Sequence, residues 1–170
     1  ALLAKRITVG SYSLMEYYLS YNPNVKYYPS TMKRSTRFTN NQHYNRVLWI
    51  GSPSTSSQLD LIISMVVRWC EIHNWRLRVV GYHGLNIDML SKHKLVELLD
   101  WTFENEDLYF KNVDVGLMPL ESTGWNNYKC SYKIIQYMAH DIPIIASAVG
   151  ENIRVVNNGK NGFLVDQISG

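Results

Sequence analysis

From position 46 onward, apolar residues fall into short unbroken blocks separated by longer stretches in which they recur three and four positions apart. Short blocks read as buried strands and the spaced stretches as helices, so the alternation predicts a parallel α/β sheet. The predicted strands are 46–50, 77–80, 95–99, 113–118, 142–146 and 162–165. In the first of these Val47, Leu48, Trp49 and Ile50 are apolar without interruption, the pattern of a strand covered on both faces. Residues 57–72 carry Leu61, Ile62, Met65, Val66 and Trp69 at helical spacing. Residues 131–139 and 151–157 read as further helices, and Gly159 and Gly162 supply a stop and a turn.

The first forty-odd residues have a different texture. A strand at 7–9, a helix at 14–19 and a strand at 25–28 precede a polar run, 30–45, with few aliphatic residues. That run is the expected linker, dividing 1–44 from a main domain at 45–170. The fold class is therefore α/β, a Rossmann-like parallel sheet flanked by helices.

Composition narrows this picture only slightly. With 170 residues, 46% hydrophobic and 18% charged, the chain can bury one sizeable core. A net charge of +3, from 17 basic against 14 acidic residues, is too small to point to nucleic acid, but leaves anionic small ligands open. Cys70 and Cys130 lie far apart with no CxxC or metal-ligand spacing. A reduced cytoplasmic protein without a metal is the simplest reading, a long-range disulfide the alternative. No run approaches the roughly 20 apolar residues that cross a bilayer. The chain starts at Ala1, without an initiator Met, and ends at Gly170, which suggests an excised fragment.

In an open parallel sheet, ligands sit beyond the carboxyl ends of the strands, so chemistry is sought in the loops there. Gly51, Ser52, Pro53, Ser54 and Thr55 follow the first apolar strand and precede a helix. Small residues at such a place let backbone N–H groups and hydroxyls approach phosphate oxygens; an ordinary Ser-rich helix cap fits the same residues. Gly81, Tyr82, His83 and Gly84 form a second loop, read as a plain turn with Tyr82 or His83 facing a pocket as the alternative. The strongest segment is 129–139, where a helix would place Lys129, Lys133 and Gln136 on one face. Two ammonium groups there suit a diphosphate, against the alternative of a solvated stripe. Gly150, Glu151 and Asn152 follow the strand at 142–146, for capping or for contact with a sugar.

Taken in order, these segments resemble the family 4-like, group 1 glycosyltransferases of GT-B fold. Trp49-Ile50-Gly51-Ser52-Pro53-Ser54-Thr55 is similar to the first strand and glycine loop of the C-terminal GT-B domain. Asp114-Val115-Gly116-Leu117-Met118-Pro119-Leu120 resembles a D-x-G-L-x-P-L strand, and 129–139 a K-x-x-x-K-x-x-[EQ]-Y-M-A helix. Residues 142–152 and 158–165 resemble the P-V-[IV]-A-S-x-V-G-x-N and N-G-x-N-G-F-L-V elements. The resemblance implies that 1–44 is the tail of an N-terminal GT-B domain with its hinge, and 45–170 the nucleotide-sugar-binding domain.

The same resemblance implies a retaining, metal-independent transfer from a nucleoside-diphosphate sugar, with no cofactor, in surface polysaccharide synthesis. Lys129 and Lys133 would stabilise the leaving diphosphate. Gly51, Ser52, Pro53, Ser54, Thr55, Gln136, Gly150, Glu151 and Asn152 would bind the donor. The acceptor, a glycan or lipid, and any peripheral membrane association would belong to the missing N-terminal half, so the isolated piece is expected to be inactive. Where relatives carry two glutamates separated by seven residues, this chain has Tyr128 and Gln136; an amide can still bond a ribose hydroxyl, without the strength of a carboxylate. Trp101 is expected to cap the sheet edge. A non-catalytic Rossmann-like module that binds a nucleotide or scaffolds a partner is the competing reading. A receiver domain would need an acidic cluster at strand ends that the sequence lacks.

Overall fold

A computed structural model describes residues 1–35 and 42–166. Within it β1 (Ile7–Val9), α1 (Tyr12–Leu19) and β2 (Val25–Tyr27) form a small unit whose two strands pair in parallel. The main sheet comprises β3 (Arg46–Ile50), β4 (Arg76–Val80), β5 (Val96–Leu99), β6 (Val115–Met118), β7 (Ile144–Ser147) and β8 (Gly162–Val165). Its six strands are all parallel, in the order β5-β4-β3-β6-β7-β8. Strand order reverses at β3, where β4 lies on one side and β6 on the other. That crevice is where an α/β sheet of this kind offers a ligand site.

Alternation along β3 explains its unbroken apolar run. Leu48 and Ile50 belong to a core with Tyr137, Phe110 and Ile144 on one face; Val47 and Trp49 belong to a core with Leu59, Ile63 and Val79 on the other. Helices α2 (Ser56–Asp60), α3 (Ile63–His73) and α4 (Ile87–Lys92) accompany the second face, and α5 (Glu106–Tyr109), α6 (Tyr132–Ala139) and α7 (Asn152–Val155) the first.

The fold class, all six main strands and the β1-α1-β2 texture agree with the sequence expectation, but several boundaries do not. The helix expected at 57–72 is broken into α2 and α3, and a 3-10 turn at Pro53–Thr55 precedes them. The break lies where Ile62 adopts φ −126 and ψ −7, and Asp60, just before it, is drawn to Tyr82 and Asn86. The strand expected at 142–146 starts two residues later because Pro143 has no N–H to give the ladder, although its carbonyl accepts from Gly116 N–H at 2.9 Å. The helix expected at 151–157 is the single turn of α7, and α4 and α5, too short to announce themselves by periodicity, are additions.

Of the expected linker, residues 30–35 and 42–45 form no helix or strand, and 36–41 lie outside the described residues, as do 167–170 at the end of the main domain. Ser35 N–H donates to the Ala139 carbonyl at 2.7 Å. No helix among the described residues is long and apolar enough to cross a membrane. Cys70 and Cys130 are both free thiols.

Candidate functional site

At the switch point between β3 and β6 lies a cavity of about 440 Å3. Trp49, Thr55 and Gln58 line it from the end of β3 and α2, Met118 to Leu120 from the end of β6, and Trp125 to Lys133 from the following loop and α6. Gly10 and Leu14 close it from the β1-α1 corner. Lys129 and Lys133 are therefore brought together with the Gly51 loop, through Thr55.

The route by which they meet differs from the expected one. Lys129 does not belong to the helix: it follows a 3-10 turn at Asn126–Tyr128 in extended conformation, φ −66 and ψ 146, and α6 starts only at Tyr132. The chain changes direction at Ser131, which takes φ +56, a left-handed conformation costing on the order of 1–2 kcal/mol for a residue with a side chain. Buried Ser131 holds that bend by donating its hydroxyl to Asn152 Oδ1 at 2.6 Å, while Asn152 Nδ2 donates to the Ser147 carbonyl at 3.0 Å. Asn152 is completely buried and positions the lysine loop from behind.

Neither ammonium has a hydrogen-bond or ion-pair partner among the described residues. Burial pulls the Lys129 pKa down; burial and then the neighbouring charge of Lys129 do the same to Lys133. Two cations in a part-buried cleft without a compensating partner among the described residues carry a cost that a bound anion would relieve. Among the described residues, no acidic side chain lines the cavity.

The remaining expected residues fall around this centre in different ways. In the Gly51 loop, Gly51 N–H is taken by the Val80 carbonyl at 3.0 Å. Ser52 N–H is taken by Thr55 Oγ1 at 2.9 Å, so two of the expected phosphate donors are already engaged. Gly51 is required because a Cβ there would stand 2.1 Å from the Trp49 ring that walls the cavity. Ser52 and Ser54 bond each other at 3.1 Å, and Pro53 opens the 3-10 turn. Gln136, three residues beyond Lys133, is buried and donates to Glu106 Oε1 at 2.8 Å, outside the cavity lining.

Glu151 is also turned away from the cavity. Its Oε2 accepts from Tyr12 N–H at 2.9 Å and its Oε1 from the Tyr27 hydroxyl at 2.8 Å, which ties the β1-α1-β2 unit to α7. Burial, with the bond to Glu151 next, pushes the Tyr27 hydroxyl up to about 12. The Arg154 guanidinium lies 3.8 Å from the Tyr12 ring centre and reinforces the same contact.

Gly150 adopts φ +54, and a Cβ there would lie 2.7 Å from the Asn127 carbonyl oxygen. Its role is to let the 126–128 turn, and with it Lys129, settle on the start of α7. Gly150→Ala is expected to cost about 1–3 kcal/mol in folding stability and to weaken anion binding as Lys129 is displaced. Denaturant unfolding together with a binding titration checks both, and an unchanged unfolding midpoint contradicts this role.

The second loop has a structural part. Tyr82 is buried, donates its hydroxyl to Asp60 in a short bond and accepts Asn86 N–H at 2.9 Å. Gly81, at φ +69, packs against the Gly51 carbonyl, and His83 is exposed. Trp101 follows edge strand β5 and is half-exposed. Sequence reasoning missed Trp49, Gln58, Trp125, Tyr128 and Tyr132 as cavity walls. Trp125 carried a signal as a bulky aromatic residue in the polar loop 121–127, and Tyr128 as the residue standing where relatives carry a glutamate. Among the described residues, no group of three or more His, Cys, Asp and Glu side chains could hold a metal.

The sequence profile of the family described as Glycosyl transferases group 1 matches residues 44–169. No curated protein matches the sequence. Among solved structures, S. aureus TarM in complex with Fondaparinux, alpha-GlcNAc-glycerol and UDP superposes with a TM-score of 0.73 at 13% identity, covering 96% of this chain and 34% of that one. HepE from Anabaena, solved with UDP and glucose, gives 0.72 at 13% identity, covering 96% of this chain and 50% of that one. A glycosyltransferase from Rickettsia africae gives 0.69 at 15% identity over 98% of this chain and 50% of that one. The chain thus spans between about a third and a half of the length of these neighbours, and at such identities the likeness speaks to fold.

Proposed function

Because this chain belongs to the group 1 glycosyl transferases, we propose that it is the donor-binding part of a retaining, GT-B-type enzyme. It transfers a sugar, a hexose type in the first instance, from a nucleoside-diphosphate donor to a glycan or lipid acceptor in surface polysaccharide synthesis. The observation that carries this reading is the pair of ammonium groups, Lys129 and Lys133, that have no partner among the described residues and share one cavity at the sheet's switch point.

As the bond between the sugar C1 and the diphosphate oxygen breaks, negative charge accumulates on the leaving phosphate. Lys129 and Lys133 stabilise that charge, and their part-buried surroundings strengthen the attraction relative to water. Two fixed cations supply what a divalent metal would otherwise provide, so the reading requires no metal or organic cofactor. Gln136 serves the ribose only if its amide leaves Glu106, which adds a cost to that contact. Glu151 acts indirectly, by holding the β1-α1 corner that closes the cavity. The acceptor, and any contact with a membrane surface in the cytoplasm, belong to a further domain, without which the chain transfers no sugar.

Calorimetric titration of the chain with UDP, GDP and ATP tests the reading. One of the two diphosphates is expected to bind, with none of the heat from ATP. Silence toward all three overturns the donor site and leaves a scaffolding module in its place.

A further inference from the structure

Lys129 and Cys130 form a short link between the 3-10 turn at Asn126–Tyr128 and the left-handed bend at Ser131 that opens α6. The link belongs to neither helix, so the place of the Lys129 ammonium depends on what holds its two ends. The far end is held within the main domain, by the bond from Ser131 to Asn152. The near end is held from the other unit. Ser11, completely buried at the start of α1, donates its hydroxyl to the Tyr128 carbonyl at 2.9 Å across 117 positions of chain.

Two further contacts come from the same corner. The Tyr17 ring, on α1, meets the Tyr128 ring edge-on with centres 5.9 Å apart. Gly10 lies so close to the link that a Cβ on it would stand 3.1 Å from Cys130 Cβ. The residue before Lys129 is thus gripped at its carbonyl and at its ring, and the residue after it is packed against Gly10. The corner itself is fixed, because Glu151 accepts from Tyr12 N–H and from the Tyr27 hydroxyl. An ammonium already held where the phosphate will sit loses less conformational freedom when the anion arrives, and binds it more tightly.

Resting on the diphosphate reading of the cavity, we propose that Ser11 is a positioning residue, which through the Tyr128 carbonyl sets Lys129 on the diphosphate. The phosphate grip of the main domain is then completed by the β1-α1 corner, a segment that contributes no charge to the cavity. Lys133 stands on α6, beyond Ser131, and is placed without Ser11.

Ser11 also caps α1 by accepting Leu14 N–H at 3.4 Å. A fall in affinity in Ser11→Ala alone would therefore not separate positioning from a loosened helix, and a double-mutant cycle makes the separation. UDP and GDP are titrated into the parent chain. The one that binds is titrated into Ser11→Ala, Lys129→Met, Lys133→Met and the two combinations with Ser11→Ala. Ser11→Ala is expected to weaken binding about five- to tenfold in the parent and in the Lys133→Met background. With methionine at 129 the group it places is gone, and the effect is expected to shrink below about twofold. Tyr17→Ala, at a half-exposed ring with no part in capping α1, is expected to follow the same pattern at about two- to threefold. Equal losses in all three backgrounds show a general loosening and overturn the inference, as does a Ser11→Ala chain that binds like the parent. Should Ser11→Ala not fold, the Tyr17→Ala cycle decides by the same criterion. If UDP and GDP both fail to bind the parent, the diphosphate reading falls and takes this inference with it. If one binds and the Ser11 effect is independent of Lys129, only this inference falls.

Discussion

Replacing Lys133 with methionine is expected to weaken nucleoside-diphosphate binding roughly 10- to 100-fold, the equivalent of one charge-assisted hydrogen bond at about 1.5–3 kcal/mol. In the assembled enzyme the same change should lower turnover on the order of 100-fold, as for the loss of one preorganised donor at a developing anion. Stability should move the other way. Lys133 is part-buried, its charged form is disfavoured by burial and by Lys129, and among the described residues nothing compensates it. Methionine fills similar space without a charge, so the melting temperature should stay the same or rise. A lysine kept for structure would show the reverse, with lower stability and intact binding.

The pH dependence carries the same signature. The folded-state pKa of Lys133 lies below the ordinary 10.5. Between that depressed value and the unfolded value, the unfolded chain binds more protons than the native one, so stability rises with pH across the window. The burden of the buried charge is present in full below the window and relieved above it. Diphosphate affinity falls over the same window, because the ammonium that grips the anion is being lost. Lys133→Met should flatten both trends, as seen by melting curves and titrations at a series of alkaline pH values. Unchanged diphosphate affinity in this variant would remove Lys133 from the site.

Tyr137→Ala is expected to have the largest effect on stability. Tyr137 is fully buried, and its hydroxyl lies 3.2 Å from the Leu48 and Leu117 carbonyl oxygens while accepting Ile50 N–H at 3.3 Å. It thereby fastens α6 to β3 and β6, the two strands that flank the cavity. Its ring sits over Gly116, where a Cβ would come within 2.6 Å, and meets Phe110 edge-on at 5.8 Å. Truncation to alanine should cost about 3–5 kcal/mol, a large part of the 5–15 kcal/mol typical of a whole domain. Tyr137→Phe separates packing from hydrogen bonding. It keeps the ring, strands the Ile50 N–H beside Gly51, and should cost about 1–3 kcal/mol. Urea denaturation measures both; a phenylalanine variant as stable as the parent would show that the hydroxyl contributes nothing.

Much of the fold was legible because the strands of this sheet are covered on both faces. Uninterrupted apolar blocks such as Val47 to Ile50 have few alternatives to burial in a parallel sheet. The loops were legible as candidate sites for a related reason, since strand direction places their small and basic residues at one rim. The helix boundaries were less so. Nothing local says that Asp60 will bond Tyr82 and Asn86, or that the helix will break at Ile62. Periodicity also placed Lys129 on a helix that starts only after it, because left-handed Ser131 is held by Asn152, twenty-one positions away.

Sequence alone determined the α/β class, the strand blocks, the family resemblance and the two lysines that carry the proposed chemistry, because each is written in residue type and short-range spacing. Tertiary structure decided which groups are spent and which are free. Glu151 meets Tyr12 across 139 positions, Gln136 meets Glu106, and the Gly51 loop bonds largely within itself, whereas Lys129 and Lys133 face the cavity without partners among the described residues. Hydrogen-bond satisfaction depends on which segments the fold brings within about 3 Å of one another, and that proximity is a property of the packed chain that no local pattern encodes.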